Sequence, residues 1–417
     1  ATNLLYEGID YGKEDPEYVR MACMLLLQEK QDDRIMEMTE RLLQEDLPEE
    51  VNRILTVCRF QAAFLRGNFE VVRNLIETTD IERSVDGVIM GTQLYQRTGR
   101  AEEAVAVLRT ILRNIDKDKA APIVNQLISV YKLTGQYDKA RELALNKVIL
   151  NPMDWRPRIQ LIDILSASGQ YERRDREIEA LLKEHRNDEQ AMMALAQLCA
   201  EYGNVEATSR LYEIALENGF SLSIFSLTLA EAMVQDNQFE KAIELCNELV
   251  EEDPAWMLTA EASFNAIRSL AYFGSGDPEL GSLYLKNFLE SKRSNVTQLM
   301  EASRRFRKNG LDEQARRILE EAYLRDPNNE QALVSLIKVE MDLGVLFSLY
   351  DHLQALFDLR RPNYKTLEEI HDELQSDRFL FTRDRQQLLD NLARIISEQD
   401  KMDWNIWARR ASGQQSS

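Results

Sequence analysis

The sequence predicts an all-α fold built as a stack of helical hairpins. Three observations carry that reading. Chain breakers are scarce: 417 residues hold 16 Gly and 9 Pro, well under a usual combined share of about 12%. A many-stranded β fold would need a turn roughly every 8–12 residues. Ala, Leu, Glu, Arg and Gln, all good helix formers, dominate the text. Glycines also recur with a period near 34, at Gly67, Gly99, Gly135, Gly169, Gly203, Gly276, Gly310 and Gly344, and Asn237 fills the slot between Gly203 and Gly276.

Taken along the chain, residues 1–15 form an N-terminal segment, and 16–48 read as a degenerate first unit with Lys30 in the turn slot. The repeat is plainest in LYQRTGRAEEAVAVL (94–108), VYKLTGQYDKARELAL (130–145), ILSASGQYERRDREI (164–178) and RFRKNGLDEQARRIL (305–319). Each runs from an apolar helix through a Gly to a polar start of a second helix. Two antiparallel helices need a tight turn whose central residue sits at positive φ; Gly adopts that freely and Asn is the usual substitute. Asn237 therefore supports the pattern. Pro152, Pro254 and Pro327 fall about 17 residues after a turn slot, where they stop one helix and admit the next pair. The spacing from Asn237 to Gly276 is 39, so about five extra residues are expected near 253–262, as a loop or an extended helix.

Side chains keep register with the turns. Five residues after the slot stand Ala104, Ala140, Ala242 and Ala315, and twelve after it Ala215 and Ala322. Aromatic residues precede the slot by four at Tyr95, Tyr131, Tyr272 and Phe306, and follow it by two at Phe69, Tyr137, Tyr171 and Phe239. With these positions the chain resembles the tetratricopeptide repeat family over roughly 16–361. Arg174 and Leu349 depart from the small residue that the family prefers. The resemblance implies a right-handed superhelical solenoid of nine to ten repeats with a concave inner surface lined by the first helix of each pair. A Lys-x-x-x-Asn clamp, with which the family's chaperone-binding members hold a terminal carboxylate, is missing from the first helices of the repeats, so that role is not expected.

Beyond the repeats, LEEIHDELQ (367–375) and RDRQQLLDNLARIISEQD (383–400) show apolar residues at i, i+3, i+4 and i+7. Residues 362–400 are read as capping helices that cover the last core face. The tail, 401–417, places Trp404 and Trp407 three apart, on one face if helical, as packing for the cap or as an aromatic anchor for a partner.

Charge narrows the partners. The chain has 51 Lys and Arg against 71 Asp and Glu, a net charge of −20. Phosphate is repelled by such a surface, so nucleic acid is not an expected partner. No apolar run approaches the roughly 18–20 residues of a membrane span. Residues 291–320 reverse the trend, with eight basic residues against four acidic ones. They offer a docking patch for an acidic partner around Arg304, Arg307 and Lys308. Cys23, Cys58, Cys199 and Cys246 form no CxxC and fall in apolar helical text, as buried free thiols would. That fits a reducing compartment such as the cytoplasm; a periplasmic or other envelope setting would need a removed leader.

Chemistry-bearing patterns are missing. His185, His352 and His371 lie far apart, and no G-x-x-x-x-G-K-[ST], G-x-G-x-x-G or H-E-x-x-H is present. No enzyme activity, cofactor or metal is expected. A ligand would sit on the concave surface, whose inward positions in the family fall about six and ten residues before the turn slot. Here these are Gln61 with Val57, Gln93 with Ile89, Ser129 with Asn125, Asp163 with Ile159 and Gln197 with Met193, then Glu231 with Leu227, Leu270 with Ala266, Arg304 with Met300 and Lys338 with Val334. Amides beside aliphatics suit an extended peptide, and the row turns basic from Arg304 through Arg307, Lys308 and Lys338. The expected function is a non-catalytic scaffold or adaptor holding a peptide or partner protein in a multiprotein assembly. The alternatives are a self-assembling structural protein (a homo-oligomer) and a peptide-sensing regulator.

Overall fold

The computed structural model describes residues 2–29, 31–66, 68–79, 88–89, 91–92, 95–96, 99–115, 120–359, 363–380, 382 and 384–397. Every regular element among them is helical. The chain divides into two compact units, residues 136–339 and residues 1–135 with 340–417.

The second of these holds α1 (Thr2–Glu7), α2 (Ile9–Gly12), α3 (Pro16–Gln28), α4 (Asp32–Leu42), α5 (Glu49–Leu65), α6 (Phe69–Thr78), α7 (Ala101–Asn114) and α8 (Ala120–Leu133). Val19, Leu26, Ile35, Met38 and Leu55 form its first core, between α3, α4 and α5. The turn slots Lys30 and Gly67 lie outside the described residues.

The unit of 136–339 runs through α9 (Tyr137–Leu150), α10 (Arg156–Ala167), α11 (Tyr171–His185), α12 (Glu189–Glu201), α13 (Val205–Asn218), α14 (Leu222–Gln235) and α15 (Phe239–Glu252). It continues through α16 (Pro254–Thr259), α17 (Glu261–Gly274), α18 (Pro278–Glu290), α19 (Val296–Lys308), α20 (Asp312–Arg325) and most of α21 (Glu330–Leu343). The unit is a stack of hairpins: α10 with α11, α12 with α13, α14 with α15, α17 with α18 and α19 with α20. One continuous core runs from Leu227 through Phe264, Phe288 and Phe306 to Ala332.

The turns have the predicted backbone. Gly169 has φ +70° and Asn237 has φ +60°, with the other turn glycines among the described residues alike. The amide after the slot donates back to the carbonyl four residues before it, as in Gln170 to Leu165 at 2.9 Å and Gln238 to Met233 at 2.8 Å. The slot amide donates to the carbonyl three back, as in Gly169 to Ser166 at 3.2 Å. These paired bonds are the Schellman arrangement, which satisfies otherwise orphaned helix-end carbonyls. The next helix is capped at once where the sequence allows it: Asn204 accepts from the Ala207 amide at 3.1 Å and Asp277 from Leu280 at 3.0 Å.

Packing explains the small-residue column. Ala242 and Ala315 are fully buried in the hairpins α14–α15 and α19–α20. Gly281 takes that place after Gly276; a Cβ there would fall 2.8 Å from the Phe273 ring, and its carbonyl accepts from the buried Ser269 hydroxyl at 2.8 Å. Arg174 departs from the rule by laying its guanidinium over the Tyr171 ring and pairing with Asp175 at 2.7 Å. The extra residues near 253–262 form the separate short helix α16, with Pro254 at its first position and the Asp253 carboxylate accepting from the Trp256 amide at 3.1 Å.

At the end of the chain, α22 (Leu346–Asp358), α23 (Tyr364–Leu374) and α24 (Arg385–Ser397) belong to the unit that contains α1–α8. Helices α23 and α24 pack together through Leu367, Ile370, Leu374, Leu388 and Leu392, all buried.

Candidate functional site

Within residues 136–339 the first helices of successive hairpins present side chains to one groove of about 760 Å³. Helix α12 contributes Gln197, Glu201 and the adjoining Tyr202, and α14 contributes Leu227, Thr228, Glu231 and Gln235. Trp256 of α16 and Ser263 and Ile267 of α17 follow, then Gln298, Glu301, Arg304, Arg305 and Lys308 of α19. A helix presents one stripe every three to four residues, so consecutive first helices lay four such stripes side by side.

The electrostatics are balanced. Three carboxylates (Glu201, Glu231, Glu301) share the groove with three cations (Arg304, Arg305, Lys308). Glu231 is mostly withdrawn from solvent, and that burial raises its carboxyl above the ordinary range despite the opposing pull of Arg305, whose guanidinium lies 2.5 Å away. Lys308 reaches the main-chain oxygen of Glu201 at 3.3 Å, so α19 touches the end of α12 across the groove. Among the described residues Arg304 has neither an ion pair nor a hydrogen bond, and it is exposed. The Gln235 side-chain Nε2 is buried with no acceptor, an arrangement that costs the full desolvation of the group. The Tyr202 hydroxyl donates to Asp163 at 2.9 Å, and burial together with that carboxylate raises the phenol well above its usual value.

The spacing rule placed part of this. Gln197, Leu227 and Arg304 come together on the groove with Glu231 beside them, and Lys308, singled out by the basic stretch and not by the spacing, joins them. Arg307 turns instead to Asp312 at 3.2 Å, Lys338 is half-buried on α21, and Leu270 and Ala266 are buried in the core. Gln61 and Asn125 sit on α5 and α8 in the other unit, half-buried and exposed respectively. Gln93, Trp404 and Trp407 lie outside the described residues. The rule missed two rows. Glu201, Gln235 and Lys308 stand two residues before the slot, and Thr228, Ile267 and Glu301 stand nine before it. Both rows were accessible to helical periodicity, because steps of three to four from the position six before the slot lead to them.

Elsewhere, four features bear on chemistry. All four cysteines are free and buried, and burial pushes the Cys199 and Cys246 thiols up to about 12, which removes the reactive thiolate at neutral pH. Glu340 is fully buried; Ser348 donates to one of its oxygens and His352 Nδ1 lies 2.8 Å from the other. The serine thus bonds to the carboxylate and not to the imidazole, an order unlike a nucleophilic triad. Among the described residues no cluster of three His, Cys, Asp or Glu is placed to hold a metal ion. No helix among them is long and apolar enough to cross a membrane.

No family model matches the chain, and no curated protein matches it. Among solved structures, a tetratricopeptide repeat protein from Parabacteroides merdae ATCC 43184 is similar at 15% identity and a TM-score of 0.37, over 62% of this chain and 98% of that one. The APC/C hetero-tetramer Cut9–Hcn1 is similar at 9% identity and a TM-score of 0.31, over 99% of this chain and 93% of that one.

Proposed function

We propose that the chain is a non-catalytic interaction scaffold. It holds a peptide segment or a short element of a partner protein in the groove of α12, α14, α17 and α19, as part of a multiprotein assembly. The observation that carries this reading is the groove lining: amides and aliphatics on consecutive first helices, with one exposed cation, Arg304, that has no partner among the described residues. An extended backbone would meet Gln197 and the unsatisfied Gln235 amide, a side chain would rest on Leu227 and Ile267, and a carboxylate would meet Arg304 beside Lys308. The balanced charge of the groove favours a partner with a single acidic feature over a uniformly acidic one. The order of Ser348, Glu340 and His352 and the buried thiols support a chain without a catalytic nucleophile.

The test is site-directed photocrosslinking in the native source. A photoreactive residue at Gln197 is expected to capture a partner, and one at Glu206, on the second helix of the same hairpin, is not. Arg304→Glu with Lys308→Glu should abolish the capture. Equal capture from both positions, or capture that survives the double reversal, would place the partner elsewhere. Capture of a second copy of the chain alone would replace the scaffold by self-assembly.

A further inference from the structure

A second surface of the 136–339 unit carries features that its core does not require. Helix α9 is apolar on two sides. Ala140, Ala144 and Val148 are buried, while Leu145 and Ile149 remain 41% and 66% exposed. Leu145 and Ile149 stand four apart, in line with Arg141, so the exposed stripe runs for about 12 Å along the helix. The stripe edges a cavity of about 370 Å³ floored by Leu161 and Leu165 of α10 and walled by Arg141, Arg173 and Arg176, with Glu177 beside them.

The charges there are arranged unusually. Arg141 and Arg173 donate to the same neutral acceptor, the Gln170 side-chain oxygen, at 2.6 and 2.8 Å. Two guanidinium groups converging on one uncharged oxygen repel each other, and a carboxylate there would be favoured. Asp138 accompanies Arg141 at 2.9 Å, and Arg176 donates to the Glu172 main-chain oxygen at 3.2 Å. Glu177 is engaged by Arg158 at 3.6 Å. Arg173 and Arg176 therefore keep uncompensated charge among the described residues, at the rim of a leucine floor, in a chain whose net charge is −20.

We infer that the face of α9, α10 and α11 is a second docking surface, and that its occupant is an acidic amphipathic helix of a partner protein. Leucine-type residues of such a helix lie on Leu145, Leu161 and Leu165, and its carboxylates meet Arg141, Arg173 and Arg176. Charge complementarity selects this occupant: a basic helix is repelled by three arginines, and a neutral apolar one leaves them desolvated. The surface shares no residue with the groove of α12–α19, so the inference stands or falls apart from that reading.

The full chain is titrated against a fluorescein-labelled synthetic peptide with leucine at i, i+3, i+4 and i+7 on one helical face and glutamate elsewhere, read by fluorescence anisotropy. Saturable binding that weakens with added salt is expected. Arg173→Glu with Arg176→Glu should raise Kd by about tenfold or more. Leu145→Gln with Ile149→Gln should raise it as well, with unchanged circular dichroism melts. Arg304→Glu with Lys308→Glu should leave it unchanged. The same peptide with lysine for every glutamate should not bind. Absence of saturation up to about 1 mM, or loss of binding in the Arg304 and Lys308 variant alone, overturns the inference; the second result would return the peptide to the groove.

Discussion

Glu231 shows how far a residue's setting can depart from its one-letter code. In the sequence it is one of 71 acidic residues, and its position six before the turn slot assigns it to a solvated inner surface. In the fold it is largely buried against Arg305, and burial raises its carboxyl. The folded state then holds this proton to higher pH than the unfolded chain. The resulting stability is complete below the unfolded value of about 4.5 and is lost as pH rises through the folded value. Glu231→Gln removes that loss and keeps a hydrogen-bond acceptor for Arg305. The melting temperature of the variant, relative to wild type, should therefore increase between about pH 4 and about pH 7; a difference that stays flat would refute the burial argument. Gln197 and Leu227 were legible because the family resemblance fixes which positions before the turn slot face inward, and the helical period carries those positions from one hairpin to the next. Arg307 was not, because its choice of Asp312 over the groove depends on a contact from the start of the next helix.

At the scale of the element, the hairpin turn governs. Gly169 and Gly203 share the left-handed conformation but not the same surroundings. A Cβ on Gly169 would meet nothing within 4 Å, while one on Gly203 would come 3.3 Å from the Gln235 backbone at the next hairpin's turn. Gly169→Ala should cost about 1–2 kcal/mol, the usual cost of an L-residue in this region. Gly203→Ala should cost more, through the added contact. Asn237→Gly should be nearly neutral and Asn237→Ala destabilising by about 1 kcal/mol. Urea denaturation of the four variants checks the order; equal costs at Gly169 and Gly203 would remove the stacking of successive turns as a factor. The period of 34 and the positive φ were both readable from Gly and Asn placement. The conversion of the five extra residues into α16 was not, since DPAWML caps a helix as readily as it starts a loop.

At the scale of the molecule, the 136–339 unit is a linear stack, and its stability should be local. Phe306 is almost fully buried between hairpins, with its ring 6.4 Å from Phe273 in an edge-to-face arrangement. Phe306→Ala should cost about 3–5 kcal/mol. Because each hairpin contacts its neighbours, hydrogen-exchange protection should fall most in α17–α20 and least in α10 and α11. A uniform loss through the whole unit would mean that the stack opens as one body.

The sequence by itself determined the secondary structure and the turn geometry, because both follow from local rules with a fixed period: backbone freedom at Gly and capping by Asn and Asp. It also located Gln197, Leu227, Arg304 and Lys308 as neighbours on one surface. Only the tertiary structure decided what those neighbours do to one another. It brought Lys308 to the end of α12, more than a hundred residues away in the chain, and buried Leu270 while exposing Ile149. It also turned two arginines onto one glutamine oxygen. Such pairings depend on the angle at which each hairpin packs on the last, and that angle is set by the summed shape of many side chains.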